Sequence, residues 1–199
     1  MYFYKNLGTK EGKEIYEHLL ERGLTKETIQ HFKLGYSMDS FDALKKNLQQ
    51  GKFSSESLSK CGLIMNNDRG YFDRFRGRIM FSIANTNGKT IAFAGRVFKK
   101  DDPAKYVNSP ETLIYNKSKI LYGLWASKDS IRNKEYAIVV EGYLDYLQLY
   151  QAGIKNVVAV SGTSFTEEHA KLIKRFCKKV YIAYDGDTAG VSAAIRAGY

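Results

Sequence analysis

Three carboxylates stand where short apolar runs end. Glu141 closes the run Ala137-Ile138-Val139-Val140, and Asp185 and Asp187 follow Val180-Tyr181-Ile182-Ala183-Tyr184. Runs that are apolar throughout, joined by helical stretches, predict parallel strands covered on both faces. In open sheets of that kind ligands collect just beyond the carboxyl ends of the strands, so Glu141, Asp185 and Asp187 are expected to converge without a long loop. Converging acids repel unless a cation joins them. Hard oxygen ligands suit Mg2+, with Mn2+ able to substitute, held together with the phosphates of a substrate. Gly142, Gly186 and Gly190 let the backbone turn tightly beside such a ligand. Asp145 lies four residues beyond Glu141, in the first turn of the next helix. It either joins the cluster or orients a metal-bound water, or it merely favours the helix N-terminus electrostatically.

The elements that must carry these acids alternate: helix over 144–152, strand over 157–160, helix over 167–176, and a further helix from about Ala189. The preceding region has a different texture. Ile15, Tyr16, Leu19 and Leu20 mark a helix over 11–22 that stops at Gly23. A second helix follows with Thr25 as N-cap, Leu24 stapled onto Ile29, and Phe32 continuing the buried stripe towards Gly35. A third runs from a cap at Ser40 through Phe41, Leu44 and Leu48 to Gly51. Residues 79–83 and 90–94 flank Asn87-Gly88 and predict a hairpin, with Ile79, Phe81 and Ile83 on one buried face. Gly88-Lys89-Thr90 is not a phosphate-binding loop, because Ile83 occupies the position where that motif needs its first Gly. The charged stretch 127–134 is the expected boundary. The fold class is therefore an α+β amino-terminal subdomain, residues 1–133, followed by an α/β domain with a parallel sheet flanked by helices, residues 134–199.

With 44% hydrophobic residues among 199, the chain can bury one sizeable core or two small ones. Thirty-one Lys and Arg against 21 acids give a net charge of +10, which favours a polyanionic partner, although a solvated surface accounts for such a surplus equally well. Cys61 and Cys177 are far apart in sequence and belong to no Cys/His cluster, which excludes a disulfide framework and a structural zinc site and leaves buried thiols as the expectation. No apolar run reaches the roughly 18 residues of a membrane span, and the start lacks signal-peptide architecture. No membrane partner is expected, and the cytoplasm is the default compartment. His18, His31 and His169 are isolated and carry no expected catalysis. Aromatics interleaved with cations over 71–81 suit stacking on unpaired bases, while most of the 15 Tyr and 11 Phe are expected in the core.

Val139-Val140-Glu141-Gly142-Tyr143-Leu144-Asp145, followed by Tyr184-Asp185-Gly186-Asp187-Thr188-Ala189-Gly190, resembles a Toprim domain. Arg74-Phe75-Arg76-Gly77-Arg78-Ile79-Met80-Phe81, Ala94-Gly95-Arg96, Lys105-Tyr106-Val107-Asn108-Ser109-Pro110-Glu111-Thr112, Leu121-Tyr122-Gly123-Leu124 and Ser161-Gly162-Thr163 resemble, in order, the catalytic core of bacterial replicative DNA primases. The resemblance implies a magnesium-dependent nucleotidyltransferase, a DNA-directed RNA polymerase that copies single-stranded DNA into short RNA primers from ribonucleoside triphosphates. It implies that Glu141, Asp185 and Asp187 bind the catalytic metal with Asp145 contributing. Arg76, Arg78, Arg96, Lys105, Lys117 and Asn108 would then line the groove for nucleotide phosphates or template.

Members of that family also carry a zinc-binding module before the core, a further acidic motif after Asp-x-Asp, and a carboxyl-terminal domain that engages the replicative helicase in the replisome. None is in this sequence, so the chain reads as a fragment with an incomplete Toprim half, expected to make few or no primers unaided. The rival readings are another Toprim enzyme, a nuclease or topoisomerase, and a non-catalytic single-strand-binding module.

Overall fold

The computed structural model describes residues 1–99, 103–160, 162 and 164–197. The chain divides into two compact units, Met1–Ser82 with Ala92–Ile114 and Ile83–Ile91 with Tyr115–Tyr199.

The first unit begins with three short helices, α1 (Tyr2–Asn6), α2 (Lys10–Glu21) and α3 (Lys26–His31). Thr9 and Thr25 cap α2 and α3, their hydroxyls accepting the N–H of Gly12 and of Thr28. Strand β1 (Gly35–Ser37) leads to α4 (Ala43–Gln50), α5 (Ser55–Lys60) and the hairpin β2 (Ile64–Asn67) and β3 (Gly70–Asp73). Then come β4 (Arg78–Ala84), β5 (Thr90–Val97) and β6 (Tyr106–Asn108), which with β1 form a sheet of order β1-β4-β5-β6. Tyr36 stands opposite Ile79, and Gly95 opposite Val107. One core gathers Phe3, Leu44, Phe75 and Met80, with Phe93 and Val107 against them. Gly35 has no room for a Cβ because the Phe3 backbone lies over it.

Three expectations shift here. The helix that was to run towards Gly35 stops at His31: Lys33 takes φ 51°, and Gly35 already belongs to β1. Helix α4 starts at Ala43 and leaves Phe41 outside it, 68% exposed. The cap at that end is remote in sequence, since buried Asp73 accepts the N–H groups of Leu44 at 2.7 Å and Lys45 at 2.9 Å. Burial nevertheless pushes the Asp73 carboxyl above its usual range. Finally, Ile79, Met80 and Phe81 are all buried, because β4 is an interior strand covered on both faces rather than on one.

In the second unit a single turn of 3-10 helix, Lys117–Lys119, precedes α6 (Leu124–Lys134), β7 (Tyr136–Val140), α7 (Tyr143–Gln151), β8 (Val157–Ala159), α8 (Glu167–Ile173), β9 (Lys179–Ile182) and α9 (Thr188–Ala197). The sheet has order β8-β7-β9 and is parallel throughout, with Val139 opposite both Val158 and Ile182. Leu121, Leu124, Ile131, Ala137, Val139, Val158 and Ile173 make its core. The stretch 127–134 lies inside α6, where Ile131 is fully buried. Strand β8 is buried throughout, as expected of parallel strands, whereas β7 is buried at Ala137, Val139 and Val140 but half-buried at Tyr136 and Ile138, and β9 alternates, with Tyr181 56% exposed.

Gly123 shows how closely this unit is packed. Its φ is +80°, and a Cβ there would overlap the Tyr146 ring, whose hydroxyl donates to the Gly123 carbonyl at 3.2 Å. Tyr146 also meets Tyr122 edge to face at 5.1 Å between centroids.

Candidate active site

Glu141 follows β7, and Asp185 follows β9 after Ala183, whose N–H still bonds the Val139 carbonyl at 2.8 Å. Parallel pairing of these two strands thus brings both acids to the same edge of the sheet. Burial raises the Glu141 carboxyl above its usual range, and the charges of Asp185, Asp187 and Asp145 raise it further. Its Oε1 is buried and has no hydrogen-bond partner. An unpartnered carboxylate oxygen within reach of the charges of three other acids suits a hard cation. The gathering is incomplete as it stands: among the described residues no three His, Cys, Asp or Glu side chains lie close enough to grip one ion. Asp185 and Asp187 are exposed.

Each acid also has a local task. Asp187 Oδ1 accepts the Gly190 N–H at 2.7 Å and so caps α9. Asp145 Oδ2 accepts the Gly142 N–H at 2.9 Å, the returning half of a capping box whose other half Gly142, lacking a side chain, cannot make. This bond supports the helix-terminus reading of Asp145 while leaving its other oxygen for a ligand. Gly190 is the tightest point. A Cβ there would overlap the Asp185 carbonyl and stand 3.0 Å from Glu141 Oε1. Tyr184, its hydroxyl buried and unpartnered, is pushed up to about 12 by burial and by Glu141. The motif quoted for the resemblance contains Tyr184, but residue type alone gave no sign of a buried hydroxyl beside Glu141.

The basic residues of the first unit fall into two kinds. Arg76 is half-buried, with its guanidinium 4.8 Å from the Phe41 ring centroid, 5.5 Å from that of Phe72, and 2.6 Å from the Asp73 carbonyl oxygen. Arg96 lies 6.0 Å from the Tyr106 ring centroid, and Lys105 is exposed. Arg78 differs: it is 4% exposed and donates to the carbonyls of Gly95 and Ala104 at 3.3 and 2.9 Å. Asn108 is half-buried, and its carbonyl accepts two bonds from Arg74, at 3.1 and 3.0 Å. Arg74, in the motif but not singled out, thereby clamps β6. Two concavities flank Arg76. One of about 410 Å³ is lined by Phe41, Lys45, Arg69, Tyr71 and Phe72, and one of about 380 Å³ by Tyr36, Arg76, Phe98 and Lys99. Phe72 falls within the stretch 71–81 whose aromatics were expected to suit base stacking, whereas Phe41 was expected in the apolar stripe of a helix and gave no sign of an exposed ring.

Lys117 lies in the second unit, half-buried, and its carbonyl meets His169 Nε2 at 2.9 Å. His169 Nδ1 accepts the Thr166 N–H at 3.2 Å, so Nε2 carries the proton and donates to Lys117. The histidine is therefore a neutral strut of the Lys117 turn. Burial lowers its pKa, outweighing the bonds to Lys117 and Ile120. Because the folded value lies below the unfolded one of about 6.5, the unfolded chain takes up the proton first. This contribution to stability is full above that pH and is lost as pH falls through it. Urea midpoints of the parent and of His169→Gln should differ most at pH 7.5 and draw together towards pH 5; parallel curves would remove the strut. Of the two cysteines Cys177 is buried as expected, whereas Cys61 is exposed. Ser161 and Thr163 lie outside the described residues.

Residues 2–128 match the family described as DNA primase catalytic core, N-terminal domain, and residues 138–198 match the Toprim-like family. The DNA primase of Geobacillus stearothermophilus is 45% identical over 195 residues, covering 96% of this chain and 32% of that protein. The RNA polymerase domain of Mycobacterium tuberculosis primase DnaG superposes with a TM-score of 0.93 at 34% identity, over 98% of this chain and 66% of that one. A DnaG primase catalytic domain bound to ssDNA gives a TM-score of 0.90 at 38% identity, over 98% and 61%. The chain spans about a third of the length of the curated relatives it matches. Its antiparallel sheet, its parallel three-stranded sheet, the acids at that sheet's carboxyl edge and a family match over more than half its length lead to one statement: this chain belongs to the DNA primase catalytic-core family, with its Toprim-like region following.

Proposed function

We propose that this chain supplies the nucleotidyl-transfer core of a primase, which copies single-stranded DNA into short RNA primers from ribonucleoside triphosphates. The observation that carries the reading is the buried, unpartnered Oε1 of Glu141, whose carboxyl feels the charges of Asp185, Asp187 and Asp145 at the carboxyl edge of a parallel sheet in a chain of this family. Toprim primases generally use a divalent metal. Here Glu141, Asp185 and Asp187 would hold Mg2+, with Mn2+ a substitute and Asp145 contributing its free oxygen. When bound, the ion would neutralise phosphate charge and activate the attacking hydroxyl.

The division of labour follows residues 1–133 and 134–199. In the first region Arg76, Arg96 and Lys105 would engage phosphates, and the Arg76 guanidinium against the Phe41 and Phe72 rings makes a stacking surface for an unpaired base. Arg78, buried against backbone carbonyls, would act by fixing β5 and the residues before β6, and Arg74 by fixing Asn108. Lys117, within 1–133 in sequence but part of the second compact unit, would add a further phosphate contact. A replicative helicase is the partner expected of the whole protein, working in the cytoplasmic replisome. Among the described residues no helix is long and apolar enough to cross a membrane.

The test is a chimera in which this chain replaces the 195 matching residues of the Geobacillus stearothermophilus primase. Labelled ribonucleotides should enter short products only with single-stranded template and a divalent metal. A folded chimera that binds Mn2+ calorimetrically yet incorporates no ribonucleotide above a template-free control would refute the reading.

A further inference from the structure

The edge of the parallel sheet opposite the carboxylates carries the contrary charge. Arg132 and Lys134 close α6, Lys174 caps α8, Arg175 and Lys178 occupy the loop after it, and Lys179 opens β9; all six are exposed. Together they line one open concavity of about 480 Å³, in which, among the described residues, Glu135 is the sole acid. Among the described residues the one ion pair they make joins Arg132 to Asp129, at 3.3 Å. Three of these cations are accounted for by the helix dipole, which favours positive charge in the last turn or at the C-cap: Arg132, Lys134 and Lys174. Arg175, Lys178 and Lys179 are not, and with Glu135 the sole acid among the described residues lining the concavity they leave it a net positive surface that attracts a polyanion.

The concavity also has an aromatic floor. The Arg132 and Arg175 guanidiniums lie 4.8 and 6.0 Å from the Phe176 ring centroid, and Tyr136 meets the exposed Tyr181 edge to face at 5.3 Å. Cations spread along two helix ends, a loop and a strand start, with rings between them, suit an extended strand of phosphates and unpaired bases better than one compact anion. Strand β7 runs from Tyr136 beside this pocket to Val140 before Glu141, so its five residues set the two sites about 16 Å apart along the sheet.

We propose that this pocket is a second site for single-stranded nucleic acid, separate from the metal-bearing edge, which holds a stretch of strand by its backbone. It does not depend on primer synthesis by the chain.

The experiment compares binding of a 30-nucleotide oligo-dT, by fluorescence anisotropy across a salt series, to four proteins. These are the parent, Lys174→Gln/Arg175→Gln/Lys178→Gln/Lys179→Gln, the groove variant Arg76→Glu/Arg96→Glu, and a charge-matched control, Lys5→Gln/Lys10→Gln/Lys13→Gln/Lys26→Gln, all four of whose sites are exposed. Circular dichroism confirms that each is folded. The pocket variant should bind at least about tenfold more weakly at low salt, and its slope of log K against log salt should flatten by about 0.7 for each phosphate it no longer neutralises. The matched control should stay within about twofold of the parent. An unchanged isotherm and slope for the pocket variant would overturn the proposal. So would equal losses in pocket variant and matched control, which would mark a general effect of net charge, or weakened binding of an acidic peptide without any change for oligo-dT, which would mark a protein-docking surface. Loss confined to the groove variant would sink this site and leave the primer-synthesis reading standing.

Discussion

Glu141→Gln should cut ribonucleotide incorporation by the chimera about 10³-fold, the scale of losing one well-placed electrostatic group in an active site, and yet melt no lower than the parent in the absence of metal. The two effects have one cause. Ionised Glu141 is held at a cost, because burial and three neighbouring acids outweigh the backbone hydrogen bond at Asp185 that favours its charge, and one oxygen lacks any partner. A group whose folded pKa is raised takes up its proton more readily folded than unfolded, so its effect on stability grows less favourable as pH rises through that window. At pH 7 the neutral amide removes the repulsion, while the loss of an anionic oxygen weakens cation binding. Adding millimolar Mg2+ should therefore raise the melting temperature of the parent, because a ligand that binds the folded state alone stabilises it by mass action, and leave Glu141→Gln nearly unmoved. Equal metal-induced shifts in the two proteins would show that the cation sits elsewhere, whatever the activity does.

Much of this was legible in the residues because strand periodicity and chain order are local signals. Apolar runs ending in Glu141 and Asp185 gave the parallel sheet and put both acids at one edge, and Thr25 and Gly23 marked helix limits from their own chemistry. What stayed hidden depends on partners distant in sequence. The start of α4 is set by Asp73, some thirty positions on, which no capping pattern near Ser40 could signal. Arg78 reads as a groove cation until its guanidinium is found among the carbonyls of Gly95 and Ala104. The charged run 127–134 looks like a linker because its apolar members are few, yet buried Ile131 and Ser127, the latter hydrogen-bonded to Tyr146, anchor it to the core. Lys174, Arg175, Lys178 and Lys179 look like one solvated stretch, and only the pairing of β9 beside β7 brings them to Arg132 and Lys134.

Gly190→Ala should damage the site, although it adds one methyl group and, by helix propensity alone, should help. Glycine within a helix is less favourable than alanine by roughly 0.5–1 kcal/mol, and Gly190 sits in the first turn of α9 with its N–H already satisfied by Asp187. The added methyl, however, would overlap the Asp185 carbonyl and crowd Glu141 Oε1 at 3.0 Å. The backbone between Asp185 and the helix must then move, and overpacking of this kind costs about 1–3 kcal/mol. The net change should be a loss of about 1–2 kcal/mol by urea denaturation once the propensity gain is set against it. The displacement falls on two acids at once and on the Asp187 cap, so Mn2+ affinity by calorimetry and incorporation by the chimera should each fall by about 10–100-fold, the range seen when groups supporting a metal's ligands are disturbed. Gly186→Ala is the matching control, because nothing lies within 4 Å of a Cβ at that position; it should bind Mn2+ as the parent does. If the two alanine variants prove indistinguishable in metal affinity, the closeness of α9 to Asp185 and Glu141 has no part in building the site.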